Sequence, residues 1–248
     1  MKPQFESVTF PKGCSVRVYH RRVAEIPFEW HHHPEYELTL TLNSKGWRFI
    51  GDHIGKYRSP DLALVPSDMP HTWASTATLH QDEPHTAIVI WFSGHWALQM
   101  AQVCPEYLAI RRLLRNAATG LEFPRATAKR VLGRLDEILS ESPQSRLHAT
   151  LDLLVALADV NAVSLSKTAM TVPSAADSEP AQFTRVLQYL HRQFQDPIRI
   201  DALCDIGNLS ARSLHRLFVK HPGTASANIC ASFALGAPAC DWRKRTCR

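Results

Sequence analysis

The hydrophobic pattern of this chain changes period once, close to residue 95, and that change limits the folds open to it. Before it, short runs rich in Val, Ile, Thr, Tyr, Phe and Trp alternate with Gly, Pro, Asn and Asp breaks, as β-structure requires. Val16 to His20, Leu38 to Leu42, Trp47 to Ile50, Leu62 to Val65 and Thr86 to Phe92 are the clearest strands, and Asn43-Ser44-Lys45-Gly46 reads as a hairpin turn between two of them. Many short strands at this spacing predict a sandwich or small barrel over residues 1–95. From Trp96 the spacing is helical: Tyr107, Ile110 and Leu114 share one face, Val131, Leu135, Ile138 and Leu139 a second, and Leu147, Leu151, Leu154 and Ala158 a third. The helical segment 96–163 packs these stripes either on the barrel or on a second copy of the chain.

Residues 164–181, rich in Ser, Thr, Ala and Pro without apolar period, read as a linker. Charge is split across it. Residues 1–181 hold 18 Lys+Arg against 19 Asp+Glu, whereas 182–248 hold 10 against four. A polyanion is the natural partner of so basic an end. No apolar run is long enough to span a bilayer, and the start lacks the apolar core of a secretory signal. The six Cys lie far apart and read as free thiols, so a cytoplasmic protein without a membrane role is expected.

Eight of the 13 His fall between His20 and His85. In an extended segment alternate residues face the same way, so His31, His33 and Glu37 share one wall while Tyr36, Leu38, Leu40 and Leu42 take the other. His32 points away from the wall. Two imidazoles and a carboxylate make a partial shell for a divalent metal, and His71, after the strand Leu62 to Val65, is the expected fourth ligand. The alternative is a metal-free pocket for a polar effector such as a sugar, lined by Trp30, His31, His33, Glu37, His71 and Trp73 and rimmed also by Tyr36. Mn, Fe, Ni and Zn suit the donor set about equally. No separate acid/base pair or nucleophile stands out as catalytic.

Past the linker, Val186, Leu187, Leu190 and Phe194 share one helical face, and Asp196-Pro197 ends that helix. A short helix carries Ile200, Leu203 and Ile206 inward, with Asp201 near its N-terminus. Gly207-Asn208 supplies a turn, and Ser210 caps a further helix anchored by Leu214, Leu217 and Phe218. Arg212, Ser213, His215, Arg216 and Lys220 remain outward. With Ser210, these residues are the candidate DNA contacts of a helix-turn-helix over 182–221.

The order of these parts resembles a known family. His31-x-His33-x3-Glu37 is similar to the first cupin motif, and Pro66-Ser67-Asp68-Met69-Pro70-His71 to the end of the second. Pro60 stands where cupins usually place a Gly before Asp61. Asn208-Leu209-Ser210-x-x-x-Leu214-x-Arg216-Leu217-Phe218 resembles the helix-turn-helix signature of AraC/XylS-type transcription regulators, with Leu203-Cys204 where they usually carry Leu-Ala. The resemblance implies a multidomain α+β chain: a cupin-type β-barrel sensor with a helical dimerisation segment, then an all-α helix-turn-helix unit. It implies an effector-responsive homodimer that binds promoter DNA and is not an enzyme. The rival reading is a metal-dependent cupin enzyme, an isomerase or dioxygenase, with an appended helical domain. The family carries two helix-turn-helix units. The tail 222–248, with Gly236, Pro238 and Arg243-Lys244-Arg245, does not match the second, and the sequence leads us to expect an out-of-frame or prematurely ended remnant there.

Overall fold

The computed structural model describes residues 2–172, 199–207 and 209–220, together with Phe183, Val186 and Tyr189. The chain divides into two units, Met1–Val172 and Pro173–Arg248. The expected helix 183–194, apart from those three residues, lies outside the described residues. So do Asn208, the side chain of Lys220 and the tail 222–248 with Cys230, Cys240 and Cys247.

The first unit is built on two sheets. One contains β1 (Gln4–Phe5), β3 (His31–His32), β8 (His71–Ala77), β5 (Lys45–Ile50) and β6 (His53–Arg58), in that spatial order. The other contains β11 (Val163–Ser164), β10 (Leu121–Glu122), β7 (Asp61–Val65), β4 (Tyr36–Leu42), β9 (His85–Phe92) and β2 (Val16–Val23). All pairs are antiparallel except β1 with β3. This is the mixed α+β, two-sheet architecture that the strand spacing predicts.

Alternation decides what each face of the second sheet meets. Leu38 and Leu40 of β4, Leu62 and Leu64 of β7, and Ile88, Ile90 and Phe92 of β9 join one large core with the helices. The helices are α1 (Gly94–Val103), α2 (Leu108–Asn116), α3 (Arg125–Leu132), α4 (Leu135–Ile138) and α5 (Pro143–Ala158). Ile110, Leu114, Val131, Ile138, Leu151 and Leu154 enter that core, so these helical stripes cover the barrel. Ser93 caps α1 by accepting from Trp96 N–H, and Ser142, followed by Pro143, caps α5 by accepting from Ser145 N–H. No helix among the described residues is long and apolar enough to cross a membrane.

The opposite face of the second sheet carries Glu37, Thr39, Thr41, Asp61, Ala63, Val65 and Trp91, and it turns toward the first sheet. Glu37 reaches His71 of β8 and Asp61 reaches Arg48 of β5, so charged groups meet across the space between the sheets beside a small apolar cluster that includes Ile50, Tyr57, Ala63, Val65 and Trp73.

Two local expectations are corrected. Asn43 to Gly46 is not a hairpin turn, because β4 and β5 belong to different sheets. Asn43 takes a left-handed conformation (φ 47°) and the chain crosses between layers. Gly46 is required there: a Cβ would lie 2.1 Å from the carbonyl oxygen of Ala74. The turn between β5 and β6 is at Gly51-Asp52, where Gly51 has φ 58°. The first unit also runs on to Val172, through the stretch expected to open the linker at 164. Leu165 and Ser166 N–H donate to Gly120 and Thr119 carbonyls, Met170 N–H to Ala118, and Ser166 Oγ to Asp52 (2.6 Å). Leu165 and Met170 pack with Ile50 and Met69. Backbone bonds, which leave no apolar period, hold this strap.

In the second unit, helices Ile200–Gly207 and Ala211–Lys220 share a small core of Phe183, Val186, Leu203, Leu214, Leu217 and Phe218. Gly207 leaves room for Leu209 and Val186, which a Cβ there would meet at 2.8 and 2.9 Å. Ser210 Oγ accepts from Ser213 N–H at 3.2 Å, as an N-cap does.

Candidate metal centre and candidate nucleic-acid interface

His31 and His33 come from and just after β3, Glu37 from β4 and His71 from the start of β8. The register pairs His31 with His71 across the first sheet. The structure brings all four together, with one ligand atom from each within 4.8 Å of the others. His33, Glu37 and His71 are buried and His31 is half-buried.

The hydrogen bonds orient these rings. Each Nδ1 faces a backbone carbonyl: His31 toward Glu29 (2.6 Å), His33 toward Glu35 (3.2 Å) and His71 toward Met69 (2.8 Å). Donation from Nδ1–H leaves the Nε2 lone pair for a ligand, which is the outer-shell arrangement of metal-binding histidines. His71 Nε2 is buried without a hydrogen-bond partner and lies 3.4 Å from Glu37 Oε2. A buried orphan nitrogen aimed at a carboxylate, among three imidazoles and one carboxylate, fits a divalent transition metal.

Glu37 is the hub. Its Oε2 accepts from Trp91 Nε1 (2.8 Å) and lies 3.1 Å from His33 Nε2; its Oε1 accepts from Thr39 Oγ1 (2.6 Å). Burial opposes ionisation, yet His71 and His33 outweigh it and hold the carboxyl well below the usual range. Burial likewise works against a charged His33, but Glu37 raises it, whereas burial and then His71 lower His31. Glu6, next to β1, places Oε2 3.1 Å from His31 Nε2.

Other expected residues fall differently. Trp73 is buried, edge-on to His71 at 6.0 Å, and forms part of the wall. Trp30 is half-buried and gives its carbonyl to Gln4 N–H. Tyr36 does not rim the pocket: it stacks on Phe92 at 5.6 Å in the core beneath the helices, because its even position puts it on the opposite face from Glu37. His32 meets Phe5 and Asp68, away from the cluster. Trp91, Thr39 and Glu6 were missed. Trp91 was within reach of the alternation in Thr86 to Phe92, since Ile88, Ile90 and Phe92 claim the other face; Glu6 depends on β1 pairing with β3, which no local pattern announces.

Replacing Trp91 by Phe removes a donor from a buried carboxylate. Urea unfolding is expected to show a loss of about 1.5–3 kcal/mol, the usual worth of a hydrogen bond to a charged group.

On the second unit, Ser210, Arg212 and Arg216 are exposed and Ser213 and His215 half-buried, while Leu214, Leu217 and Phe218 turn inward. Arg212 and Arg216 stand four residues apart, hence on one helical face.

No known family profile matches the sequence, and no curated protein matches it. Solved structures with similar backbones include a cupin 2 conserved barrel domain protein from Rhodopseudomonas palustris (12% identity, TM-score 0.28, 34% of this chain and 57% of that one). An oxalate decarboxylase is similar over 32% of this chain at 20% identity and TM-score 0.27, and this chain spans 22% of its length. An apo ToxT variant from Vibrio cholerae is similar over 88% of this chain and 78% of its own, at 10% identity and TM-score 0.48.

Proposed function

We propose that this chain is an effector-responsive, DNA-binding transcription regulator of the AraC/XylS type, with a cupin-type barrel as its sensor. The observation that carries this reading is the helix Ala211–Lys220. It buries Leu214, Leu217 and Phe218 in its own small core and keeps Arg212 and Arg216 outward. Arginines on one exposed helical face suit major-groove guanines and phosphates. Ser210, Ser213 and His215 would flank them, and Lys220 would neutralise phosphate. A homodimer would set two such helices on two half-sites.

In the sensor, His31, His33, Glu37 and His71 would hold a divalent ion. Bound there, such an ion supplies a Lewis-acidic position for an oxygen-bearing effector. The chain's own part is to keep Glu37 ionised, through Trp91, Thr39 and the imidazoles, and to fix the rings through the backbone carbonyls.

Selection from a random duplex library by the full chain tests the regulator reading. Enrichment of defined sequences is expected. The Arg212→Ala/Arg216→Ala protein should bind at least tenfold more weakly, with a salt slope smaller by about two. Equal binding by that variant would overturn the assignment. The same cluster favours a second reading, a metal-dependent enzyme, which requires metal-dependent turnover by protein that enriches no DNA sequence.

A further inference from the structure

The end of the barrel away from the metal cluster carries a cleft of about 930 Å³. The strands run between the two ends: β9 begins at His85 and reaches Trp91 beside Glu37, while β4 runs from Glu37 toward Asn43 and Ser44. The cleft's walls are the end of β2 with Ala24 and Glu25, the end of β8, and the loop 78–84. Its size is that of a small-molecule site.

The cleft has a built floor. His85 lines it yet is only 4% exposed, and its Nδ1 lies 2.8 Å from Ser44 Oγ, which in turn lies 2.7 Å from Tyr57 OH. Ser44 and Tyr57 are buried, so this chain of three polar groups fixes the imidazole ring. Its Nε2 takes no hydrogen bond from the protein among the described residues. Burial pushes the imidazole down against the pull of the nearby Glu25 carboxylate.

The loop wall is also fixed. Asn43 Nδ2 donates to the carbonyls of His80 (3.0 Å), Glu83 (2.8 Å) and Pro84 (3.3 Å), and its Oδ1 accepts from Leu79 and His80 N–H. One side chain thus holds the whole loop against the barrel before any ligand arrives.

The lining carries three carboxylates, Glu25 on one wall and Asp82 and Glu83 on the other, against the single guanidinium of Arg22. None of the three is in an ion pair among the described residues. We infer that this cleft is a second ligand site, separate from the metal cluster, which takes an organic cation of the diamine or polyamine class. One ammonium would meet Glu25, another Asp82 and Glu83, and the His85 ring would face the chain between them. The inference stands on the barrel alone and does not depend on the DNA-binding reading.

Calorimetric titration of the full chain with putrescine and spermidine tests it, with 1,4-butanediol and succinate as neutral and anionic counterparts. Saturable binding of the amines is expected, at least tenfold tighter than either counterpart, and equal in chelator-treated and metal-loaded protein. Glu25→Gln and Glu83→Gln, both at exposed positions that leave the fold intact, should each weaken it severalfold. Absence of amine binding, comparable binding of butanediol, dependence on loaded metal, or unchanged affinity in both variants would overturn the proposal.

Discussion

Replacing Arg48 by Met is expected to destabilise the barrel by about 3–5 kcal/mol. Arg48 is wholly buried between the sheets. Its Nη1 donates to both oxygens of Asp61 at 2.8 and 2.9 Å, and its Nη2 donates to Glu122 at 2.7 Å. The guanidinium therefore joins three strands, β5, β7 and β10, from both layers. Without it, Asp61 stays buried with no counter-charge. Burial already pushes that carboxyl up, and Arg48 is the main group pulling it back. Such a loss lowers the melting temperature by roughly 10 °C in a unit of this size. Removing both partners is a different case. Arg48→Met/Asp61→Leu should recover most of the loss, because an apolar pair replaces the ions and Glu122, 41% exposed, returns to water. Thermal and urea unfolding of both variants check this. A single variant within about 1 kcal/mol of the parent would show that the triad is not structural in this sense.

Chelator competition should give about one divalent ion per chain, and His71→Ala or Glu37→Gln should abolish tight binding. Each removes a ligand atom that the fold has already oriented. His71 Nε2 has no other partner to lose, and Gln at 37 keeps the shape but drops the charge. The outer shell gives a finer test. Thr39→Val deletes the 2.6 Å hydrogen bond to Glu37 Oε1 and leaves every ligand in place. It should weaken the metal by about 10–100-fold. Wild-type protein that binds no divalent ion, or a Thr39→Val protein with parental affinity, would contradict the assigned roles.

Much of this could be read in advance where periodicity does the work. The spacing of His31, His33 and Glu37 marked the cluster, but not as one wall: His31 lies on β3 of the first sheet and Glu37 on β4 of the second, and the side chains converge from both layers. The helical spacing of Ile110, Leu114, Leu151 and Leu154 marked the surface that covers the barrel. The helix pair of the second unit was legible from Leu203, Leu214, Leu217 and Phe218. What periodicity cannot carry is which sheet a strand joins. Asn43 looked like a turn residue and proved to be a clamp on a loop some 40 positions away. Arg48 sits at an inward position of β5, where alternation alone gives no reason for a charge; only the arrival of Asp61 and Glu122 from other strands makes it tolerable. The strap at 165–170 is held by backbone donors and one Ser–Asp bond, which leave no mark on the hydrophobic pattern.

In the proposed regulator, occupancy of the barrel governs DNA binding in the same chain. The most direct test is fluorescence anisotropy on an enriched labelled duplex, comparing metal-loaded with chelator-treated full chain and repeating the comparison with His71→Ala. A severalfold shift in DNA affinity between the loaded and chelated parent, absent in His71→Ala, is the expected result. Identical affinity in both states of the parent, or no DNA binding in either, would contradict it.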